Sequence, residues 1–301
     1  MSGKQVKLYL VDGTPGGLTT ADITNWTGSV VSARRSDLAE LLRREEAERT
    51  GVYLLLGDDE DAVGDTRCYI GEADVVATRL RSHVKEKPFW NQAVVITSKD
   101  TNLTKSHVRY LESRLIELAT LASRVSLDNS TAPPRPRLPE ADLSDMEYFL
   151  SQLQIVLPVL GVNAIRVRQR ARTVSDGVTE SPIFRLRNKQ GVDARAQQVD
   201  GEFVMLSGSL VIPVWHGVGK ASSTQRSYAN YRAQHEGLIT DGSIVVEGRL
   251  GRTTRDIVFS SPSTAGAVAL GRSCNGRREW MSTDGMFEDW ESRGIGDEQA
   301  D

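Results

Sequence analysis

The sequence predicts an α+β protein: a first domain in which three short strands alternate with helices, then a second, mixed and strand-rich domain. Three observations predict it. Two apolar runs, 51–56 (GVYLLL) and 67–71 (RCYIG), flank an acidic, Gly-containing loop in the manner of a hairpin. The next segments, 73–86 and 105–123, carry apolar residues at helical spacing, with a strand-like 93–97 (AVVIT) between them. From Pro182 onward, short strand-like runs broken by Gly and Ser take over.

In chain order, residues 1–49 read as an extension of one strand and one helix. Residues 6–11 (VKLYLV) are the strand, and the polar DGTPGGLTT after them is a loop. Ser36 suits a helix N-cap, although Ser-x-x-Ala falls short of a capping box, and a short helix then runs to about Arg49. In 73–86, Val76, Leu80 and Val84 form one stripe at about 100° per residue. Arg79 and His83, one turn apart, lie along its edge and are expected half-buried, while Arg81 and Lys85 point away. In 105–123, Val108, Leu111, Leu115, Leu118, Ala119 and Ala122 make a broad apolar face. Glu112 falls inside that face and Glu117 opposite it. An unpaired buried carboxylate costs several kcal/mol, so Glu112 needs either a core arginine or a metal ion, and the helix alone does not choose between them.

Beyond Asn129, four prolines in 133–139 end any helix and mark a linker, 132–175, that also holds a helix at about 143–159, broken near Pro158. Arg166, Arg168, Arg170 and Arg172 alternate there, as a solvated linker or one face of a strand. The second domain spans 176–290, with runs PIFRLR, VDARAQQ, EFVML and SLVIPVW, a polar helix near 227–237, and a small-residue helix starting at Ser263. An Asn275-Gly276 turn between short strands comes near its end. Residues 291–301 form an acidic tail expected to be disordered.

A net charge of -3 does not announce a nucleic-acid binder, so any phosphate contact must come from a local patch. Cys68 and Cys274 have no metal-ligand spacing, which argues against a zinc site or a disulfide framework. No apolar run approaches 18 residues and no signal-peptide h-region opens the chain, so a reduced, cytoplasmic protein without a membrane segment is expected.

Gly51-Val52-Tyr53, Tyr69-Ile70-Gly71, Arg79 eight residues after Gly71, His83 four later, Glu112 in the next helix and Asn129 after it form an ordered set that resembles the GIY-YIG nuclease family. The resemblance covers roughly 50–131, with Val52 in place of Ile. The stretch from Phe259 to Ser263, through Gly271-Arg272-Ser273 to Asn275-Gly276 and Trp280, resembles a C-terminal domain of unknown function often attached to such nucleases.

The resemblance implies a small three-stranded antiparallel sheet flanked by helices, cutting DNA with one Mg²⁺ or Mn²⁺. By it, Glu112 holds the metal, Arg79 contacts the scissile phosphate, and Tyr53 activates water with Tyr69 and His83 assisting. Asn129 helps to fix the site. Family members differ over whether tyrosine or histidine is the base, and a phenol with a pKa of about 10 is a poor one unless a cation lowers it. Arg81, Lys85, Lys87 and Trp90 read either as contacts to the DNA strand or as a solvated helix face, and His107 as structural. Homodimerisation or a protein partner falls to the C-terminal domain. The competing expectations are a non-catalytic nucleic-acid-binding or assembly module that keeps the fold, and a nuclease held inactive by its C-terminal half.

Overall fold

A computed structural model of the chain describes residues 3–59, 66–100, 102–131, 133–166, 181–199, 201–217 and 222–293. Arg168, Arg170 and Arg172, and the tail from residue 294 onward, lie outside the described residues. The chain divides into two compact units, Met1–Arg168 and Gln169–Asp301. Among the described residues, no helix is long and apolar enough to cross a membrane.

The first unit is built on a seven-stranded mixed sheet in the order β1-β2-β3-β6-β4-β5-β7. Its strands are β1 (Val6–Leu10), β2 (Thr19–Ile23), β3 (Gly28–Arg34), β4 (Gly51–Asp58), β5 (Thr66–Ala73), β6 (Trp90–Ser98) and β7 (Ser126–Leu127). The three strands expected from the sequence are the adjacent trio β6-β4-β5, paired antiparallel. The remainder corrects that expectation. Residues 19–23 and 28–34 are strands, and β3 joins the 1–49 segment to the hairpin by pairing with β6 from Gly28↔Ser98 to Arg34↔Gln92. β5–β7 is the parallel pair.

Period-two alternation divides the hairpin between two cores. Val52, Leu54, Leu56, Cys68 and Ile70 face helices α3 (Lys105–Ala122) and α4 (Glu140–Val159), meeting Val108, Leu111, Leu115, Phe149 and Leu153. Tyr53 and Leu55 face the other way, against Val76 and Leu80 of α2 (Val76–Glu86), with Trp90 and Leu41. The helix of the expected linker therefore belongs to the first unit's core, with Pro158 in its last turn.

The helix expected after Ser36 is broken into a 3-10 turn (Arg35–Asp37), a four-residue helix α1 (Leu38–Leu41) and a second 3-10 turn (Glu45–Glu48). Ser36 caps nothing; its hydroxyl donates to Asp37 Oδ1 at 3.1 Å. The preceding Arg35 is committed elsewhere. Its guanidinium donates to the carbonyls of Val84 (2.8 Å), Pro88 (2.9 Å) and Trp90 (3.2 Å), satisfying acceptors at and beyond the C-terminus of α2.

The second unit is an antiparallel sheet, β12-β13-β11-β9-β8-β15-β16, with β10 pairing β9 and β14. Its strands are β8 (Phe184–Arg187), β9 (Asp193–Val199), β10 (Glu202–Met205), β11 (Leu210–Val211), β12 (Ile244–Glu247), β13 (Leu250–Thr253), β14 (Ile257–Phe259), β15 (Met281–Ser282) and β16 (Gly285–Met286). The polar helix is longer than expected, α5 (Ser222–Thr240). The small-residue helix α6 (Pro262–Leu270) is buried from Thr264 on. It starts one residue before Ser263, because Ser261 accepts from the Thr264 N–H and Pro262 occupies the first turn. Asn275-Gly276 is not a strand turn: Asn275 accepts from the Arg277 N–H and caps the short helix α7 (Gly276–Glu279). A last short helix, α8 (Phe287–Glu291), packs Phe287 into the same core.

Candidate active site

The hairpin register puts both tyrosines on one face, since Tyr53 pairs with Gly71 and Leu55 with Tyr69. Tyr53 is 1 % exposed, and its ring lies over Gly71. A Cβ at position 71 would stand 2.4 Å from Tyr53 Oη and 2.6 Å from Cζ, so only glycine admits the hydroxyl there. The α2 stripe turns His83 inward, to 4 % exposure, and brings its Nε2 within 2.8 Å of Tyr53 Oη. Tyr69 packs edge-on to His83 with ring centroids 5.1 Å apart, and Lys87 Nζ lies 4.0 Å from the centre of the Tyr69 ring.

Burial fixes the protonation of this pair. It pushes the Tyr53 hydroxyl above the ordinary phenol range, with Tyr69 and Glu112 adding to the effect and Arg79 opposing it. Burial also holds the His83 imidazole below its usual value. Glu86 works against that, and Lys87 and Arg79 reinforce it. At neutral pH a neutral phenol thus donates its O–H to an unprotonated Nε2. The other ring nitrogen, Nδ1, lies 3.3 Å from Glu86 Oε2 but is not aligned for a hydrogen bond.

Arg79 is exposed, not half-buried as expected, because the sheet-facing positions of α2 are taken by Val76, Ala77, Leu80 and His83. It makes no ion pair among the described residues, and its charge acts on both Tyr53 and His83. Glu112 is half-buried on α3. Its carboxyl is pushed up to about 7, first by burial and then by the charge of Glu72; Arg109, Lys105 and the Glu72 N–H oppose this. Of the two alternatives the helix pattern left open, a salt bridge to a core arginine does not form among the described residues, although the charge of Arg109 acts on Glu112. Its neighbour Glu72 is held by Lys105 Nζ at 2.8 Å, and the same amine reaches Asp74 at 3.2 Å.

No group of three His, Cys, Asp or Glu side chains suited to a metal occurs among the described residues. What the donor set fits is a hard cation that takes one carboxylate, retains most of its waters and accepts phosphate oxygens, as Mg²⁺ does. Glu112, desolvated and unpaired, is the group such an ion would relieve.

Asn129 acts on the backbone. Its Oδ1 accepts from the Ile70 N–H (3.0 Å) and its Nδ2 donates to the Ile70 carbonyl (2.8 Å). β7 pairs only with Arg67 and Cys68, so the asparagine side chain continues that pairing and holds β5 in place beside Gly71. Asp128, just before it, binds both Arg67 and Lys87.

Arg81 and Lys85 are exposed on α2 without ion pairs among the described residues, whereas Lys87 is engaged by Asp128. Trp90 is a correction. At 1 % exposure it is core, not a strand contact; its Nε1 donates to the His83 carbonyl at 3.3 Å and Arg35 stacks on it at 4.6 Å. His107 completes the capping box of α3 with Thr104 and lies 3.2 Å from Asp142, a structural role. Sequence reasoning missed Glu72, Glu86 and Asp128. Their signals were adjacency to Gly71, the i,i+3 spacing from His83 and adjacency to Asn129.

Residues 184–290 match the model of a domain of unknown function (DUF4357). No curated protein and no solved structure matches the chain. The DUF4357 segment begins at β8 and ends within α8, and it includes the 259–280 stretch from which a C-terminal domain of unknown function was expected. Tyr53, Tyr69, Arg79, His83, Glu112 and Asn129 all lie outside it.

Proposed function

We propose that the first unit is a divalent-metal-dependent endonuclease hydrolysing DNA phosphodiester bonds, as the GIY-YIG resemblance implies, and that the DUF4357 segment serves target or partner recognition. The observation that carries the proposal is the hydrogen-bonded Tyr53–His83 pair, set over Gly71 and flanked by two charged groups without ion pairs, Arg79 and Glu112.

In this reading the Arg79 guanidinium takes a phosphate oxygen. Tyr53 Oη orients the attacking water while His83 Nε2, unprotonated at neutral pH, is the acceptor toward which the phenolic proton moves. This divides the work between the two candidate bases: the phenol alone is too weak an acid to ionise, and the imidazole supplies the proton-accepting nitrogen. Mg²⁺ or Mn²⁺ at Glu112 would stabilise charge developing on the phosphate. Asn129 keeps β5, and with it Gly71, in register. Arg81 and Lys85 are free to meet the DNA backbone. The setting is the cytoplasm, and any homodimer or protein contact belongs to the second unit.

Purified protein with Mg²⁺ or Mn²⁺ should nick supercoiled plasmid, and Glu112→Ala should not; equal activity in the variant overturns the assignment. The near-complete burial of Tyr53 favours the second reading, a non-catalytic nucleic-acid-binding module. DNA binding without metal, and without cleavage of linear, branched or single-stranded substrates, would establish that reading instead.

A further inference from the structure

One face of the second unit's sheet carries arginines in register. In β8, Phe184 and Leu186 are buried and Arg185 and Arg187 are exposed; in β9, Ala194 and Ala196 are buried and Asp193 and Arg195 turn the other way. Directly paired residues share a face. The pairings Val245↔Arg252, Arg252↔Leu210, Leu210↔Asp193 and Asp193↔Arg187 thus form one row across the sheet, and Arg195↔Arg185↔Met281 the next. Both rows lie opposite the face that packs Phe184, Leu186, Ala194 and Ala196 with α6.

The charges on this face do not balance. Arg187 pairs with Asp193 at 3.1 Å and Arg252 with Glu247 at 2.9 Å. Arg195 Nη2 donates to the Ser207 carbonyl at 3.0 Å, and neither Arg195 nor Arg185 has an ion pair among the described residues. Asp193 in the adjacent row acts on both, but that one carboxylate, already paired with Arg187, faces three guanidinium groups, and like charges directly across adjacent strands repel. Nothing in the packing requires arginine at either position, since both side chains leave the core.

We infer that this face binds the phosphate backbone of a nucleic-acid strand, with Arg185 and Arg195 as its anchors. Phosphate suits the guanidinium, whose planar donors grip it in a fork. Arg185 and Arg195 stand directly opposite one another on adjacent strands, with Cα atoms roughly 4.5–5.5 Å apart, so both long side chains reach the same stretch of backbone. No aromatic side chain occupies the two rows, so bases have no stacking platform there. The contact is to the backbone, giving affinity without sequence choice. This deepens the recognition role proposed for the DUF4357 segment, and rests on that reading for the choice of DNA as ligand.

The test is fluorescence anisotropy of full-length protein with a labelled 30-base-pair duplex in EDTA, titrated over a range of salt. Arg185→Gln with Arg195→Gln should weaken binding at least about tenfold and flatten the salt dependence by close to two phosphate contacts. Arg185→Lys should keep the salt slope. Arg185→Gln alone, at an exposed position without an ion pair among the described residues, guards against misfolding and should lose about half of the effect with an unchanged melting temperature. Unaltered affinity and slope in the double variant overturn the inference, as does a double variant that loses binding to polyglutamate but not to DNA, which assigns the face to an acidic protein. Cleavage with arginine-independent binding would sink the inference alone, and arginine-dependent binding without cleavage would sink the nuclease assignment alone.

Discussion

Tyr53 Oη lies 2.8 Å from His83 Nε2, two buried groups from a strand and a helix that satisfy one another. Tyr53→Phe should keep the fold but leave the imidazole nitrogen without its donor, costing about 1–3 kcal/mol in urea unfolding. Single-turnover plasmid nicking should fall at least about 100-fold.

The same pair sets a pH dependence. His83 titrates below the ordinary imidazole value of 6.5 in the folded chain, so the unfolded chain takes up the proton first as pH falls. The stabilisation is complete above about 6.5 and is lost as pH drops from there toward the lowered folded value. The difference in urea midpoint between wild type and His83→Asn should therefore move against wild type as pH is taken from 8 to 5, whatever slope the other groups add.

Glu112 works in the opposite sense. Its folded pKa of about 7 stands above the ordinary 4.5, so the cost of charging it grows as pH rises between those values. Glu112→Gln should remove that slope and leave metal-free protein at least as stable as wild type at pH 8, while cleavage is lost. Because a divalent ion must displace the proton, Mn²⁺ affinity measured by calorimetry should weaken about tenfold per pH unit below about 7.

Gly71→Ala places a methyl group where the Tyr53 hydroxyl sits. Either the ring or β5 must move, at about 1–3 kcal/mol. Nicking should drop more steeply than thermal stability, since the displaced atom is the proposed water-orienting oxygen.

Asn129→Ala removes both hydrogen bonds to Ile70. Hydrogen exchange of the Ile70 amide should accelerate by about tenfold or more, and cleavage should fall with it. Asn129→Asp keeps the acceptor but sets a carboxylate against the Ile70 carbonyl, so it should restore little.

The hairpin, α2, β6 and α3 were legible because their apolar residues follow a clear period; the pairing of Tyr53 with Gly71 was not, since a connection that long leaves the register open. Nor were β2 and β3. TTADI and GSVVSAR are strands of small and hydroxyl side chains, buried because neighbours on both sides cover them, and nothing local in such a sequence separates them from a loop. At the site, the grouping of Tyr53, Tyr69 and His83 was expected from the resemblance and not from spacing alone. The exposure of Arg79 and the burial of Trp90 could not be read from either, because both depend on which groups α2 packs against. Ser36 and Asn275 show the same limit, since capping is decided by where the neighbouring backbone runs.

Arg35 leaves the end of β3 to satisfy carbonyls at and beyond the close of α2 and to stack on Trp90, whose indole holds the His83 carbonyl. The segment read from the sequence as an extension is thereby wired into the histidine's own helix. A fragment cut at residue 50 would lose three strands and the brace that keeps that helix from fraying. The smallest portable version of this site, for grafting or for inheritance as a module, begins at β1.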